Sequence, residues 1–273
     1  MNRKELLIII VTHNSEKFTE WQISYLEELK KDSILIRYVD SGSENTEYLK
    51  KMECETIQVI YSKNVGFAKA NNLALFDVER FKYVLFLNPD AVIYKDDLYE
   101  IIKRANTEDR FKNVGIFSVP LIKYDFNNNK ATDQYDSLGI RCDLSGRWID
   151  IRDLKNKNKY EAICGAFMFC RSDALIACKN SSDTVGFEES FVMYKEDIEL
   201  SLRIEKQQWG VHIFNELKAF HCRGWGKKWG ENPLWARLYS ARNDIYIALK
   251  YKKRALPFSL FKYFVVKLEE IIK

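Results

Sequence analysis

The chain of 273 residues has no strong excess of charge of either sign and no apolar run long enough to cross a bilayer. Its net charge of +4 is small against 43 basic and 39 acidic residues, so no global field favours nucleic acid. The apolar run near the N-terminus, Leu6–Val11, is short and has no small-residue cleavage site after it. We therefore expect this run to be a buried strand, in a folded protein that stays in the cytoplasm.

The six cysteines show no C-x-x-C spacing, so a disulfide framework is not expected. His212, His221 and Cys222 lack a second paired motif, which argues against a zinc site. The first apolar run is followed by THNSEKF rather than by a glycine-rich phosphate loop. This absence disfavours a nucleotidyltransferase.

Apolar runs alternate with helical patterns over the first 120 residues or so. Strands are predicted at Leu6–Thr12, Ile34–Asp40, Ile57–Tyr61, Tyr83–Leu87 and Val114–Val119, and helices at Glu16–Lys30, Glu44–Met52, Phe67–Val78 and Asp96–Ala105. The alternation predicts a mainly parallel sheet flanked by helices, in one large α/β domain with a smaller appendage. Ligands of such sheets bind beyond the carboxyl ends of the strands, where His13, Asp40 and Asn88–Asp90 fall.

The alternation stops at Pro120. Residues 123–160 are polar and rich in turn signals, which predicts a loop and a hairpin rather than a sheet core. A continuous apolar strand is predicted at Ala162–Cys170, and further strands at Val211–Phe214 and Lys218–His221. Apolar residues then recur at helical spacing from position 234 to position 248.

The most informative segment is GFEESFVMYKEDIELSLRI, residues 186–204. It places the acidic pair Glu196-Asp197 where a loop passes into an amphipathic helix. Ile198 and Leu202 lie one turn apart and anchor that helix in a core, so the carboxylates at its start face a cleft. A carboxylate there is a candidate general base, and the simpler alternative is an acid that complements the helix macrodipole.

Together with LNPDA at 87–91 and NVGFAKANN at 64–72, this segment resembles the family-2 glycosyltransferases of the GT-A fold. The resemblance runs from Leu6 to about Asn243 and is strongest to the branch of bacterial rhamnosyltransferases. It implies a GT-A domain over 1–231, with a donor half to about 120, an acceptor half from 121 and a C-terminal helical extension over 232–273. The implied activity is inverting transfer of a sugar such as rhamnose from a dTDP- or UDP-linked donor to a bacterial surface glycan, as in O-antigen or capsule synthesis.

The resemblance assigns the metal to Asp90, at the end of the D-x-D position, where Asn88 replaces the first acid. A divalent cation there, Mg²⁺ or Mn²⁺, would bridge the diphosphate of the donor. His221 matches a late histidine of the family that ligates the metal or contacts the diphosphate. The alternatives are a plain strand-ending turn at Asp90 and an ordinary loop histidine at 221.

The resemblance also implies a set of residues that bind the nucleotide sugar. They are Thr12, His13, Asn14, Glu16, Asp40, Asn64, Gly66, Phe67, Lys69, Asn71, Asn88 and Asp90. Gly66 allows close backbone approach, and the helix that follows it offers free N–H groups to an anion. Asp40 has a simpler alternative as a turn or helix N-cap residue.

In inverting members of the family the aspartate of the acidic pair removes the proton of the acceptor hydroxyl. This assigns the general base to Asp197, with Glu196 as its support or as an acceptor contact. Arg223, Trp225, Lys227 and Lys228 follow in a glycine-rich stretch that is predicted to close over the donor as a lid. The alternative to the enzyme is a catalytically silent nucleotide-sugar or glycan binding module, and the presence of both Asp90 and Asp197 argues against it.

The C-terminal tail is predicted to be an amphipathic helix. From Pro257 onwards one arc is apolar, formed by Leu260, Phe261, Phe264, Val265, Leu268, Ile271 and Ile272. A basic cluster at 250–254 precedes it and suits anionic lipid headgroups. We expect a peripheral contact with the inner face of the cell membrane, near a lipid-linked acceptor, or else docking on the chain's own domain or on a second subunit in a homodimer.

Overall fold

The computed structural model describes residues 3–29, 33–223 and 232–272. Within these ranges the strands are β1 (Lys4–Thr12), β2 (Ile34–Ser41), β3 (Ile57–Ser62), β4 (Phe81–Leu87), β5 (Ala91–Ile93), β6 (Val114–Ser118), β7 (Leu121–Asp125), β8 (Lys130–Ser137), β9 (Ile140–Cys142), β10 (Trp148–Asp150), β11 (Phe167–Arg171), β12 (Gly210–Ile213) and β13 (Ala219–His221). The α-helices there are α1 (Glu16–Glu27), α2 (Glu47–Met52), α3 (Phe67–Leu73), α4 (Lys95–Thr107), α5 (Ser172–Ala177), α6 (Glu196–Lys206), α7 (Leu234–Lys250) and α8 (Leu256–Ile272).

Seven of the described strands form the central sheet, in the order β12-β6-β11-β4-β1-β2-β3. β1 pairs in parallel with β2 and with β4, and β12 pairs in parallel with β6. β11 is the exception, because it runs antiparallel to both of its neighbours, β4 and β6. The prediction of a mainly parallel sheet flanked by helices is confirmed. The antiparallel direction of β11 was not predicted, because an apolar run does not indicate the direction of its strand.

The middle of the sheet is buried on both faces. Leu6, Ile8 and Ile10 of β1 enter one hydrophobic cluster, and Leu7 and Ile9 enter the other, since successive side chains of a strand point to opposite faces. All five side chains are fully buried. Burial of each stabilises the fold by about 1.5–3 kcal/mol relative to exposure, so the sheet gives a rigid frame for the loops at its edge.

The prediction of a loop and a hairpin over 123–160 missed a second sheet. β7 and β8 do form a hairpin, but they join β13 and β5 in a sheet of the order β5-β13-β7-β8, and β9 pairs with β10. β13 pairs with β7 in parallel and with β5 antiparallel. These pairings join segments far apart in sequence, and local turn signals do not report them.

Several helices are shorter than predicted. α3 ends at Leu73 rather than at Val78, and α2 begins at Glu47 rather than at Glu44. The side chain of Arg37 is buried beyond the end of α3, where it donates to the carbonyl of Ala74 and forms an ion pair with Asp77. The carbonyl of Ala74, directly after α3, is thus satisfied by a side chain from β2 rather than by a further helical hydrogen bond.

The two C-terminal helices pack on the domain and on each other. Ile247 of α7 lies in a hydrophobic cluster with Phe191 and with Ile198 of α6. α8 contacts α7 extensively, and it begins one residue before the predicted Pro257. Among the described residues no helix is both long enough and apolar enough to cross a membrane. The division into a domain over 1–231 and an extension over 232–273 stays a prediction.

Candidate active site

A cavity of about 910 Å³ opens beyond the carboxyl ends of β1 and β4, at the start of α6. It is lined by predicted residues from distant parts of the chain, namely His13, Asn64, Gly66, Phe67, Asn88, Asp90, Glu196, Asp197 and His221. Their convergence at the carboxyl edge of the sheet is the usual position of a ligand site in an α/β fold.

Asp90 is presented at this edge by the short link between β4 and β5. The chain is fixed on both sides of it, because Asn88 N–H donates to the carbonyl of Ala166 and Cys222 N–H donates to the carbonyl of Asp90. Asp90 Oδ1 lies 3.3 Å from Nε2 of His221. Burial alone would raise the pKa of Asp90, but the charge and hydrogen bond of His221 outweigh it and lower that pKa.

His221 lies between two carboxylates. Its Nδ1 is 2.8 Å from Oδ2 of Asp136, which is fully buried on β8, and its Nε2 faces Asp90. Burial opposes the imidazolium, yet the two carboxylates together raise the pKa of His221 to about 9. The second oxygen of Asp136 pairs with Arg223 at 3.0 Å. Sequence reasoning missed Asp136, whose position depends on the second sheet.

The side chains here fit a divalent cation that is completed by a ligand. Asp90 and His221 both line the cavity, and the amide oxygen of Asn88 is buried with no hydrogen-bond partner in the described structure. Histidines that bind a metal through one ring nitrogen commonly hydrogen-bond a carboxylate through the other. Asp136 is in this position, because it lies against Nδ1 of His221 while Nε2 faces the cavity side chain of Asp90. Within the described ranges no group of three or more His, Cys, Asp or Glu side chains is poised to hold a metal. A divalent cation at this point would be held by Asp90 and His221 and would need further oxygen ligands from a bound substrate or water.

The acidic pair follows a strained turn. Val192, Tyr194 and Lys195 all have positive φ angles, of 61°, 68° and 71°, which is rare for residues other than glycine. The turn is held by Asn243 of α7, whose amide nitrogen lies 2.8–3.1 Å from the carbonyl oxygens of Phe191, Met193 and Tyr194. Sequence reasoning did not single out Asn243, which is buried and fixes the position from which α6 starts.

Asp197 is oriented by backbone donors. Its Oδ2 accepts a hydrogen bond of 2.8 Å from the N–H of Gly165, and its Oδ1 accepts one of 2.8 Å from the N–H of Ile198. Burial raises the pKa of Asp197, and these two hydrogen bonds oppose that rise. A raised pKa makes a carboxylate more basic than a free one, which suits a general base.

Glu196 lies deeper than its neighbour. It is only 7% exposed, and its Oε2 has no hydrogen-bond partner among the described residues. Burial, with the nearby charge of Asp197 as the second cause, raises the pKa of Glu196 to about 8. The Asp197 carboxylate is held by two N–H donors that favour its ionised form, whereas Glu196 Oε2 has none, so Asp197 is the better candidate for the proton acceptor.

Glu196→Gln should make the protein more stable than the wild type as the pH rises. The folded protein holds a proton on Glu196 up to about pH 8, whereas the unfolded chain releases it above its ordinary pKa of 4.5. Stability of the wild type therefore falls over this interval, and glutamine, which mimics the protonated acid, removes that loss. Thermal unfolding of both proteins across the interval measures the effect, and parallel curves would show that Glu196 is not held protonated.

Six of the predicted donor residues do not line the cavity. Thr12, Asn14, Glu16, Asp40, Lys69 and Asn71 lie behind or beside it. Asp40 is buried, where it accepts hydrogen bonds from the hydroxyl of Thr12 and from the N–H of Ser43, the turn role that was its simpler alternative. A direct contact of these six residues with a nucleotide stays a prediction.

Three of these residues instead use their side chains for hydrogen bonds within the protein. The side chain of Asn14 accepts from the N–H of Glu44, and the carboxylate of Glu16 accepts from the side chain of Asn45. The side chain of Asn71 donates to the carbonyl of Phe67 within α3. By contrast His13 lines the cavity, and its Nδ1 lies 2.9 Å from the carbonyl of Ser41.

Gly66 does allow a close approach, but the approaching group is protein. At its φ of 82°, a Cβ atom would lie 2.6 Å from a methyl of Val192 and 2.7 Å from the Val192 carbonyl. That carbonyl accepts from the N–H of Ala68, so one of the free donors expected at the start of α3 is already used. The NVGFA segment therefore supports the strained turn before the acidic pair.

Of the predicted lid, only Arg223 is among the described residues. It forms ion pairs with Asp136 at 3.0 Å and with Asp150 at 2.7 Å. Trp225, Lys227 and Lys228 lie outside the described residues.

The glycosyl transferase family 2 profile matches residues 7–177, which is more than half of the chain. The chain belongs to glycosyl transferase family 2. The family inferred from the NVGFA, NPD and acidic motifs is thus confirmed. The matched span of this family-2 protein contains Asp90 but ends before Glu196, Asp197 and His221, so the assembly of the second half of the site rests on the structure.

A relative of known activity agrees with the expected branch. Rhamnosyltransferase WbbL of Escherichia coli (strain K12) is 25% identical over 226 residues, which cover 78% of this family-2 chain and 82% of the relative.

Solved structures show the fold. The mannosyltransferase PcManGT from Pyrobaculum calidifontis, in complex with GDP-Man and Mn²⁺, is 15% identical with a TM-score of 0.58, over 97% of this chain and 70% of that one. GalNAc-T7 with UDP, GalNAc and Mn²⁺ is 12% identical with a TM-score of 0.67, over 90% and 48%. S. aureus TarS 1–349 in complex with UDP-GlcNAc is 13% identical with a TM-score of 0.58, over 96% and 73%. The family-2 protein therefore has the predicted GT-A-like α/β fold.

Proposed function

We propose that the protein is an inverting, metal-assisted glycosyltransferase that moves a sugar from a nucleoside diphosphate donor to a hydroxyl of a bacterial surface glycan. The observation that carries the proposal is that one cavity is lined by both the Asp90–His221 pair and the Glu196-Asp197 pair. The first pair suits a diphosphate with its cation, and the second supplies a base. A catalytically silent binding module is the alternative, and it gives no reason for a strained turn that ends in an oriented carboxylate.

In the proposed reaction Asp197 accepts the proton of the acceptor hydroxyl as the oxygen bonds to the anomeric carbon. The bond from that carbon to the diphosphate oxygen breaks, and the diphosphate leaves with the electron pair. The N–H groups of Gly165 and Ile198 keep the Asp197 carboxylate in place, and Glu196 stays protonated beside it. Asp90 and His221 would hold a divalent cation, which supplies positive charge to the leaving diphosphate.

We propose Mn²⁺ or Mg²⁺ as the cation. The imidazole of His221 favours Mn²⁺, since Mg²⁺ strongly prefers oxygen ligands in a strict octahedron. Two similar structures were determined with Mn²⁺, which supports the same choice.

For the donor we propose a dTDP- or UDP-linked sugar, with rhamnose favoured by the relative that is a rhamnosyltransferase. The UDP-GlcNAc and GDP-Man complexes of the structural neighbours support the donor class but not the sugar. A panel of nucleotide sugars, each with Mn²⁺ or Mg²⁺, tests the proposal by thermal stabilisation and by release of the nucleoside diphosphate. One donor should both stabilise the protein and be consumed. If a donor stabilises the protein but no donor is consumed when glycosides are present as acceptors, the silent binding module is favoured.

We also propose that α8 brings the enzyme to the cytoplasmic face of the membrane, where a lipid-linked acceptor lies. The helix docks by the side that carries the buried Ser259 and Val266. On that side Lys262 pairs with Asp244, and Glu269 pairs with Arg237. Its apolar side is turned outward, with Leu260, Phe261, Phe264, Leu268, Ile271 and Ile272 all exposed. A bilayer surface is a suitable partner for such a face, and a second copy in a homodimer is the alternative.

The basic cluster before α8 contributes less than its sequence suggests. Lys250 pairs with Glu199, Lys252 pairs with Glu161, and Arg254 donates to the carbonyls of Cys142 and Asp143. Because two of these cations are neutralised within the protein, attraction to anionic lipids should be weaker and less dependent on salt than the bare cluster predicts.

Replacing Phe261 and Phe264 together by glutamine should reduce sedimentation with vesicles that contain anionic lipid. Both rings are more than 60% exposed, so the change removes apolar area from the outer face and leaves the ion pairs of α8 intact. Leu154→Gln, at an exposed leucine in the short 3₁₀ helix after β10, is the matched control. If vesicle binding is unchanged while a dimer dissociates in light scattering, the face is a protein interface.

A further inference from the structure

Three aromatic side chains line the cavity beside the acidic pair. Trp235 and Tyr239 lie one turn apart on α7, and Tyr194 belongs to the strained turn before α6. The ring centroids of Tyr194 and Trp235 are 6.3 Å apart with an interplanar angle of 32°, and those of Trp235 and Tyr239 are 6.5 Å apart at 70°. The three rings therefore form a continuous apolar wall, which we call the aromatic wall.

The centre of the aromatic wall is accessible to a ligand. The side chain of Trp235 is 48% exposed although it stands at a cavity, whereas Ala236 and Ala241 of the same helix are buried in its packing. Each Å² of apolar ring surface that a ligand covers stabilises the complex by about 25 cal/mol. Aromatic rings with a few polar groups beside them are the usual lining of a site for an organic ligand.

The position of the wall indicates which substrate it contacts. Tyr194 lies two residues before Glu196 in the turn that sets the place of Asp197, and Asn243 ties this turn to α7. The donor residues His13, Asn64 and Asp90 come instead from the loops at the edge of the central sheet. A group held by the wall is thus next to the base, which is the place of the hydroxyl that loses its proton.

A pyranose ring matches this wall chemically. One of its faces presents C–H groups that pack on an aromatic ring, while its hydroxyl groups remain at the rim for polar partners. We propose that the aromatic wall is the acceptor subsite and that it binds the terminal pyranose of the acceptor glycan through its C–H face, with Trp235 as the central contact. The inference rests on the proposed transfer activity, because it assumes that the cavity holds a donor and an acceptor together.

Trp235→Ala and Trp235→Tyr separate acceptor binding from donor binding. Octyl glycosides of glucose, galactose, rhamnose and N-acetylglucosamine serve as acceptor probes, with Mg²⁺ and UDP or dTDP present. In the wild type, saturation-transfer NMR should mark the ring C–H protons of at least one probe. Trp235→Ala should weaken this signal and raise the KM for that acceptor about tenfold or more, with a smaller change in kcat. Trp235→Tyr should recover part of the binding, because it restores an aromatic face.

Donor binding and fold are measured on the same proteins. Calorimetric binding of UDP or dTDP should be the same in Trp235→Ala as in the wild type. Tyr61→Ala, at a tyrosine of β3 that is 46% exposed and does not line the cavity, is the matched control.

Two results would overturn the acceptor subsite. One is loss of nucleotide binding in Trp235→Ala equal to its loss of acceptor binding, which would mean that the wall stacks on the nucleobase. The other is the absence of ring C–H signals from every probe in a wild type that does consume a donor. Failure of the wild type to consume any donor, even with a probe bound to the wall, would instead contradict the proposed transfer activity.

Discussion

Asp197→Asn should lower the rate of sugar transfer by at least about 10²-fold, because the variant cannot accept the proton of the acceptor hydroxyl. The fold should persist, since the amide oxygen of asparagine can still accept the hydrogen bond that Gly165 N–H donates to Asp197. Affinity for the nucleoside diphosphate should remain nearly unchanged. Transfer measured at saturating donor, with nucleotide binding by calorimetry, gives both quantities.

A matched control for this variant is Asp173→Asn. Asp173 lies on α5, outside the cavity lining, and forms an exposed ion pair with Arg3. Its replacement removes the same charge but should leave transfer as in the wild type. Wild-type turnover by folded Asp197→Asn would show that another group takes the proton, and Glu196→Asp would then be the next variant to test.

Asp90→Ala should abolish the metal-dependent part of nucleotide binding. Asp90 and His221 both line the cavity and their side chains lie 3.3 Å apart, so removal of Asp90 from the proposed metal site should weaken binding by about 10²-fold or more. Titration of UDP or dTDP with Mn²⁺ present and absent measures the loss. EDTA added to the wild type should reproduce the effect of the mutation.

Asp96→Ala is the control for Asp90, because Asp96 is an exposed acid in the first turn of α4. It should bind nucleotide with metal as the wild type does. If neither EDTA nor Asp90→Ala changes binding and turnover, the assignment of the metal to this pair is wrong.

The parts of the fold that were predictable are those with local signals. The run Leu6–Val11 is apolar at every position because β1 is buried on both faces, and such a run identifies a central strand without any partner being known. The direction of β11 and the sheet that joins β7 to β13 depend on long-range strand pairing. The periodicity of apolar residues along the chain carries no information about such pairing. The exact ends of α2 and α3 depend likewise on tertiary contacts such as that of Arg37 with Ala74.

The same distinction applies to the site. The acidic pair was predictable because a loop, two carboxylates and a helical apolar pattern follow one another within one segment. Asp136 contacts the ring of His221, which is 85 positions away, and Asn243 hydrogen-bonds a turn about 50 positions away. Neither residue has a local pattern that distinguishes it from a surface acid or amide. Gly66 is a point of close approach in the fold, but only the folded chain shows that Val192 is what approaches, and its contact with a nucleotide stays a prediction.

The anomeric configuration of the transferred sugar is the most direct test of inverting transfer with Asp197 as the base. With the donor found in the panel and a glycoside acceptor, the coupling constants of the anomeric position in the product can be read by NMR. Proton removal by Asp197 during a single displacement predicts a configuration opposite to that in the donor. A product that retains the donor's configuration would contradict the account, because it requires either two displacements or attack from the face of the leaving group.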